Sequence, residues 1–113
     1  RQAHDLIWDR YRGMFNGSAL TNAIQVVAGL KIGGLDFTRV IGETVAMGGD
    51  SDCTGATAGS ILGAVIGLGR IPPHWTTPFQ GRMQIYLNDM PDMLSLNSIC
   101  ERFGSLAHRM VWS

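Results

Sequence analysis

Gly55, Gly59, Gly63 and Gly67 recur every fourth residue, with Ala56, Ser60 and Ala64 repeating beside them. A four-residue spacing stacks positions on one face of an α-helix. A helix over Thr54–Leu68 would therefore carry a strip with almost no side chains. Each interior glycine costs about 0.5–1 kcal/mol relative to alanine. Tight helix–helix contact is the expected compensation. A transmembrane reading is weak, because the segment is shorter than the ~20 residues a span needs and contains Thr57 and Ser60.

The rest of the chain reads as helices between Gly/Pro punctuation. Leu6, Ile7 and Tyr11 share a helical spacing in a first short segment that Gly13 ends. Asn16-Gly17 is a turn signal. Ser18 is placed to cap a helix over Ala19–Leu30, with Leu20, Ala23, Ile24, Val27 and Leu30 as its apolar stripe. Gly33-Gly34 stops it. Asp36 is placed to cap Phe37–Met47, where Phe37, Val40, Ile41 and Val45 form an apolar face. Pro72-Pro73 ends the glycine-strip region and Thr76–Gly81 reads as loop. Arg82–Asn88 reads as a short helix broken by Pro91. Ser95 caps a last helix over Leu96–Val111, striped with Leu96, Ile99, Cys100, Phe103, Leu106 and Met110. No run alternates with period two, so no sheet is expected. The expected fold is all-α: a compact bundle of about five helices in a single domain, residues 1–113.

Charged residues are only 16% of the chain, below the usual quarter for soluble domains, which suggests surface that is normally covered. The formal net charge is zero, so bulk electrostatics draws the chain toward neither nucleic acid nor anionic membrane. Two cysteines, Cys53 and Cys100, make no disulfide framework and favour a reducing, cytoplasmic setting.

Chemistry concentrates in Met47-Gly48-Gly49-Asp50-Ser51-Asp52-Cys53-Thr54. Two carboxylates two residues apart, in a tight turn between helices, suit a hard cation such as Mg²⁺, Mn²⁺ or Ca²⁺. Gly48 and Gly49 let the backbone turn sharply or approach a ligand. The simpler reading is capping, with Asp52 satisfying free amides at the start of the glycine helix. An EF-hand fits as far as Asp50, Asp52, Thr54 and Gly55, then fails at Ile61, where a bidentate Glu is required. Phosphate-loop spacings are absent.

Gly49-Asp50-Ser51-Asp52, the run Gly55–Ala64, and Ile71-Pro72-Pro73-His74-Trp75, in that order, resemble the ADP-ribosylglycohydrolase family. Upstream, Asn22-Ala23, Leu30 and Gly34-Leu35-Asp36-Phe37 also look like its pattern. The resemblance runs over Ser18–Trp75 and more loosely to the end. It implies an all-α fold and a site with two divalent ions, Mg²⁺ or Mn²⁺. Asp50 and Asp52 would be metal ligands. The ions would bind ADP-ribose, or an ADP-ribosylated protein, and activate water at the ribosyl C1 bond. The position after the second Asp is often a threonine ligand in the family but here is Cys53, a poor ligand for a hard ion; Thr54 is the candidate substitute. No Thr-Asp-Asp-type motif precedes residue 36. The expectation is therefore a C-terminal portion, inactive in isolation, that lacks half of the metal site.

Other residues have plainer readings. His4, His74 and His108 show no metal-like spacing. Cys100 is expected as an inert core thiol. Cys53 is expected to pack beside the site rather than act as a nucleophile. Trp75 is expected to anchor the Pro72-Pro73 turn by burial, and Trp8 and Trp112 to face whatever covers this surface. The competing functional reading is a non-catalytic structural or interaction module on the same scaffold, covering its exposed face as a homodimer.

Overall fold

The computed structural model describes residues 2–14, 17–84 and 93–112; the side chain of Trp112 lies outside this set. Asn16 of the first turn signal, the rest of the Arg82–Asn88 segment beyond Gln84, and Pro91 also lie outside the described residues. The chain forms two compact units, Arg1–Pro72 and Pro73–Ser113.

The first unit holds α1 (Gln2–Tyr11), α2 (Ala19–Gly33), α3 (Phe37–Ala46) and α4 (Ser51–Ile66). Local chemistry sets the helix ends. Ser18 Oγ accepts the Thr21 amide at 3.3 Å and starts α2. Asp36 Oδ1 accepts the Arg39 amide at 2.9 Å and starts α3. Gly34, at φ +62°, ends α2 with its amide on the Leu30 carbonyl. Gly67, at φ +76°, does the same for α4 on Gly63. Both stops use a positive φ that side chains disfavour.

Helices α2, α3 and α4 pack against one another around Val26, Val40, Ala58, Leu62 and Ile66, with Leu30, Phe37 and Ile71 partly buried at the edge. The core row of α4 is thus Ala58, Leu62 and Ile66, beside the glycine strip. The strip faces α3: a Cβ on Gly55 would meet Val45 Cγ2 at 3.0 Å, and one on Gly59 would meet Ile41 Cδ1 at 3.0 Å. Gly63 has ordinary room, with Ile71 Cδ1 3.7 Å away.

The closest helix approach lies elsewhere. A Cβ on Gly33 would sit 2.6 Å from the Cα and backbone nitrogen of Val40, and one on Gly29 would sit 2.9 Å from Thr44 Cβ. Val40 and Thr44 are completely buried there. Thr44 Oγ1 returns its proton to the Val40 carbonyl at 2.7 Å, so the hydroxyl enters the contact already satisfied.

This contact corrects the expected face of α2. Its buried residues are Thr21, Gln25, Val26, Gly29 and Gly33, while Leu20 and Val27 of the expected stripe are exposed. The helix is apolar nearly all round, so periodicity does not choose a face. The fit of its glycines to α3 does.

In the second unit, Arg82–Gln84 is a strand (β1), not the expected helix, and pairs antiparallel with β2, Met93–Ser95. The expectation of no sheet fails at this small ribbon; three-residue strands are too short for a period-two signal. Helix α5 spans Leu96–Trp112 and starts at Ser95, whose Oγ accepts the Ser98 amide at 3.4 Å. Its stripe is not a core within the described residues. Phe103 and Met110 are 69% and 75% exposed, and Cys100 is exposed rather than buried. A helix beside a two-strand ribbon has too little surface to bury that stripe. Trp75 lies half-buried in a 3₁₀ turn, Pro73–Trp75, with its ring 5.5 Å from that of His74. No helix among the described residues is long and apolar enough to cross a membrane. The all-α class holds.

Candidate metal centre

The turn between α3 and α4 is built for a sharp change of direction. Gly48 and Gly49 have φ of +75° and +69° in succession. Trp8 of α1 fastens the turn from outside, its Nε1 donating to the Met47 carbonyl at 2.8 Å. Behind Gly49 stands the buried Gln25 of α2; a Cβ on Gly49 would lie 3.3 Å from its Nε2.

Asp50 takes the capping position of α4, yet its side chain makes no capping hydrogen bond. An aspartate here ordinarily accepts the amide two or three residues on. Instead, Asp50 Oδ2 accepts Nδ2 of Asn22, 28 residues earlier on α2, at 2.7 Å. Asp52 lies exposed in the first turn, where the helix dipole favours negative charge. The expected capping role of Asp52 is therefore not what places these carboxylates: the capping position belongs to Asp50, and it goes unused.

Ligand atoms of Asp50, Asp52 and Cys53 all lie within 4.8 Å of one another. The two carboxylates fit a hard divalent cation, and the thiol is the departure from an all-oxygen set. Thr54 is buried and donates its hydroxyl to the Asp50 carbonyl at 3.1 Å, which fastens the first turn of the helix. His4, His74 and His108 join no such cluster among the described residues.

The neighbours shape the acidity of the cluster. The Asn22 amide, and after it the Cys53 thiol, hold the Asp50 carboxyl below the usual carboxylate range. The Cys53 thiol is pushed up by its hydrogen bond to Asp50, then by the charges of Asp50 and Asp52. These outweigh the helix N-terminus, which alone lowers a thiol pKa. A raised thiol carries less thiolate at neutral pH, so Cys53 should react slowly despite its exposure. Peptide-resolved iodoacetamide kinetics at pH 7.5 should find Cys53 slower than free cysteine, with its rate still rising above the ordinary thiol range. Asp50→Asn removes the larger of the two charges that act on the thiol and should speed the reaction. An unchanged rate would separate Cys53 from the carboxylates.

Sequence reasoning did not assign roles to Asn22 and Gln25. Both are on the inward face of α2, and Asn22 Oδ1 and Gln25 Oε1 are buried without a partner among the described residues. Gln25 has no sequence signal beyond an amide in a mostly apolar helix, and Asn22 has in addition its place in the Asn22-Ala23 pair of the family-like pattern.

A paired-carboxylate turn opening a glycine-rich helix, held by an all-α scaffold, defines the class of site. Residues 2–105 match the ADP-ribosylglycohydrolase family, and the chain belongs to it. The chain is also 28% identical over 93 residues to the ADP-ribosyl-[dinitrogen reductase] glycohydrolase of Rhodospirillum rubrum. That match covers 82% of this chain and 31% of the relative, so the chain spans about a third of the relative's length. No solved structure matches.

Proposed function

We propose that this chain carries part of the metal centre of a hydrolase that cleaves the glycosidic bond between ADP-ribose and an acceptor. The observation that carries the reading is the idle cap. Asp50 stands where a helix invites its carboxylate inward, and the carboxylate instead gathers with that of Asp52 and the Cys53 thiol at the start of α4. Asp50 and Asp52 would hold Mg²⁺ or Mn²⁺, with Cys53 and Thr54 supporting the turn and the Gly48-Gly49 backbone next to the substrate. Bound divalent ions supply polarisation of ribose oxygens and an oriented water. This chain's residues hold negative charge at a fixed place and keep the turn open. The substrate in this proposal is an ADP-ribosylated protein, in line with the name of the R. rubrum relative.

Two carboxylates do not complete a hard-ion shell of six or more oxygens. The remaining ligands are proposed to come from outside these 113 residues, and the isolated chain is expected to be inactive. The two exposed, unpaired cysteines are in keeping with the reducing, cytoplasmic setting we propose. Calorimetry tests the reading. Complementing the chain with the preceding part of a family member should restore Mn²⁺ or Mg²⁺ binding and ADP-ribose release. A completed protein that ignores both ions and ADP-ribose would refute it.

One observation favours a second reading. Val27 lies exposed on the outer face of α2, where Ala23, Ile24, Ala28 and Ile32 join it along an apolar groove. A non-catalytic module could cover that face as a homodimer. Sedimentation decides: a compact metal-free dimer supports this reading, and a monomer removes it.

A further inference from the structure

We infer that Asn22 is a positioning residue, which holds the Asp50 carboxylate off its own helix and keeps it available to a cation; this rests on the metal reading above.

The geometry gives Asp50 two competing destinations. One is local, the free amides of Asp52 and Cys53 in the first turn of α4, which an aspartate at the capping position ordinarily takes. The other is Asn22 Nδ2, which reaches across from α2 at 2.7 Å. The second destination is the one occupied, and the capping bond is absent. A carboxylate only accepts, so the group facing it must be the Asn22 amine end. The Asn22 carbonyl end then points away from the bond. It is buried, with no donor among the described residues.

Against the one charge-assisted bond that it makes, that arrangement gives up stability in three places. Asparagine is a weak helix former inside a helix. Burying an acceptor without a donor is unfavourable. The pairing also leaves a helix end without its side-chain cap. An alanine at position 22 would relieve the first two liabilities, and by freeing Asp50 it would relieve the third. Three local losses at one side chain are understandable if Asn22 serves the direction of the carboxylate. The bond is made by Oδ2 alone, and the carboxylate it holds stands in the group formed with Asp52 and Cys53. Partners of this kind, which orient a ligand without touching the ion, govern affinity in metal sites generally.

The test compares the wild-type chain with Asn22→Ala and Asn22→Gln, both free and complemented as above. Three readouts are followed: Mn²⁺ affinity by electron paramagnetic resonance, thermal melting, and the backbone amide signals of Asp52 and Cys53. Asn22→Ala should weaken Mn²⁺ binding about tenfold, the lower end for loss of an orienting partner. Its melting temperature should hold or rise, and the Asp52 and Cys53 amides should move downfield as Asp50 swings over to cap them. Asn22→Gln keeps a donor on a longer arm and should recover most of the affinity. Unmoved amides in Asn22→Ala, or a lowered melting temperature with unchanged Mn²⁺ affinity, would make Asn22 a packing residue and overturn the inference. If the complemented wild type binds no Mn²⁺, the metal reading fails by itself. The amide signals then still decide whether Asn22 directs Asp50.

Discussion

Asp50→Asn should weaken Mn²⁺ binding by the complemented protein more than about a hundredfold, beyond the 10–100-fold typical of partners that only orient a ligand. The reason is loss of charge at the one carboxylate that the fold takes trouble to aim. Asparagine keeps the size of the side chain, and its carbonyl oxygen can still accept Nδ2 of Asn22. The fold should therefore survive, and urea midpoints should move little. The split between lost affinity and retained stability is the signature of a ligand. Asp52→Asn should weaken binding too, without touching the α2 contact, because Asp52 is exposed in the first turn. Calorimetric titration with Mn²⁺ measures both. Equal affinity in wild type and Asp50→Asn would leave the carboxylate cluster without a role.

The second large effect is on stability. Gly33→Ala should destabilise the first unit by at least about 2 kcal/mol, in the range for overpacking. Helix propensity pushes the other way, but by less than the roughly 1 kcal/mol of a helix interior, because Gly33 is the last residue of α2. Sterics win because the new methyl would stand 2.6 Å from the Val40 backbone, which cannot swing aside as a side-chain tip can. Gly63→Ala is the internal control. Its Cβ would have ordinary clearance at 3.7 Å, so the propensity gain should show as a stabilisation of up to about 1 kcal/mol. Urea unfolding of the two variants should therefore move in opposite directions. Parallel shifts would mean that the α2–α3 approach is not the tight joint of this unit.

These two glycines mark the boundary of what the sequence makes legible. Caps are local, so Ser18 and Asp36 could be recognised from their own neighbourhoods and lie where such residues should. Gly49-Asp50-Ser51-Asp52 is legible as a candidate site for a similar reason: glycines, carboxylates and a helix start follow one another along the chain. The spacing in α4 revealed that glycines line one face, but not which pair of helices comes closest. That pair is α2 and α3, because Gly29 and Gly33 meet Thr44 and Val40, a match of shapes between separate segments. The face of α2 was misjudged because nearly every side of it is apolar. Arg82–Gln84 carries too few residues to announce a strand. Asn22 was visible only as part of a family-like pattern; its bond to Asp50 joins residues 28 apart and has no trace in spacing.

The central claim is that Asp50 and Asp52 share a cation rather than finish a helix. Anomalous diffraction from crystals of the complemented protein grown with Mn²⁺ tests it most directly. The account predicts a manganese peak in contact with both carboxylates, with Asn22 still bonded to Asp50. Carboxylates folded onto the amides of residues 52–55, with no peak between them, would contradict it.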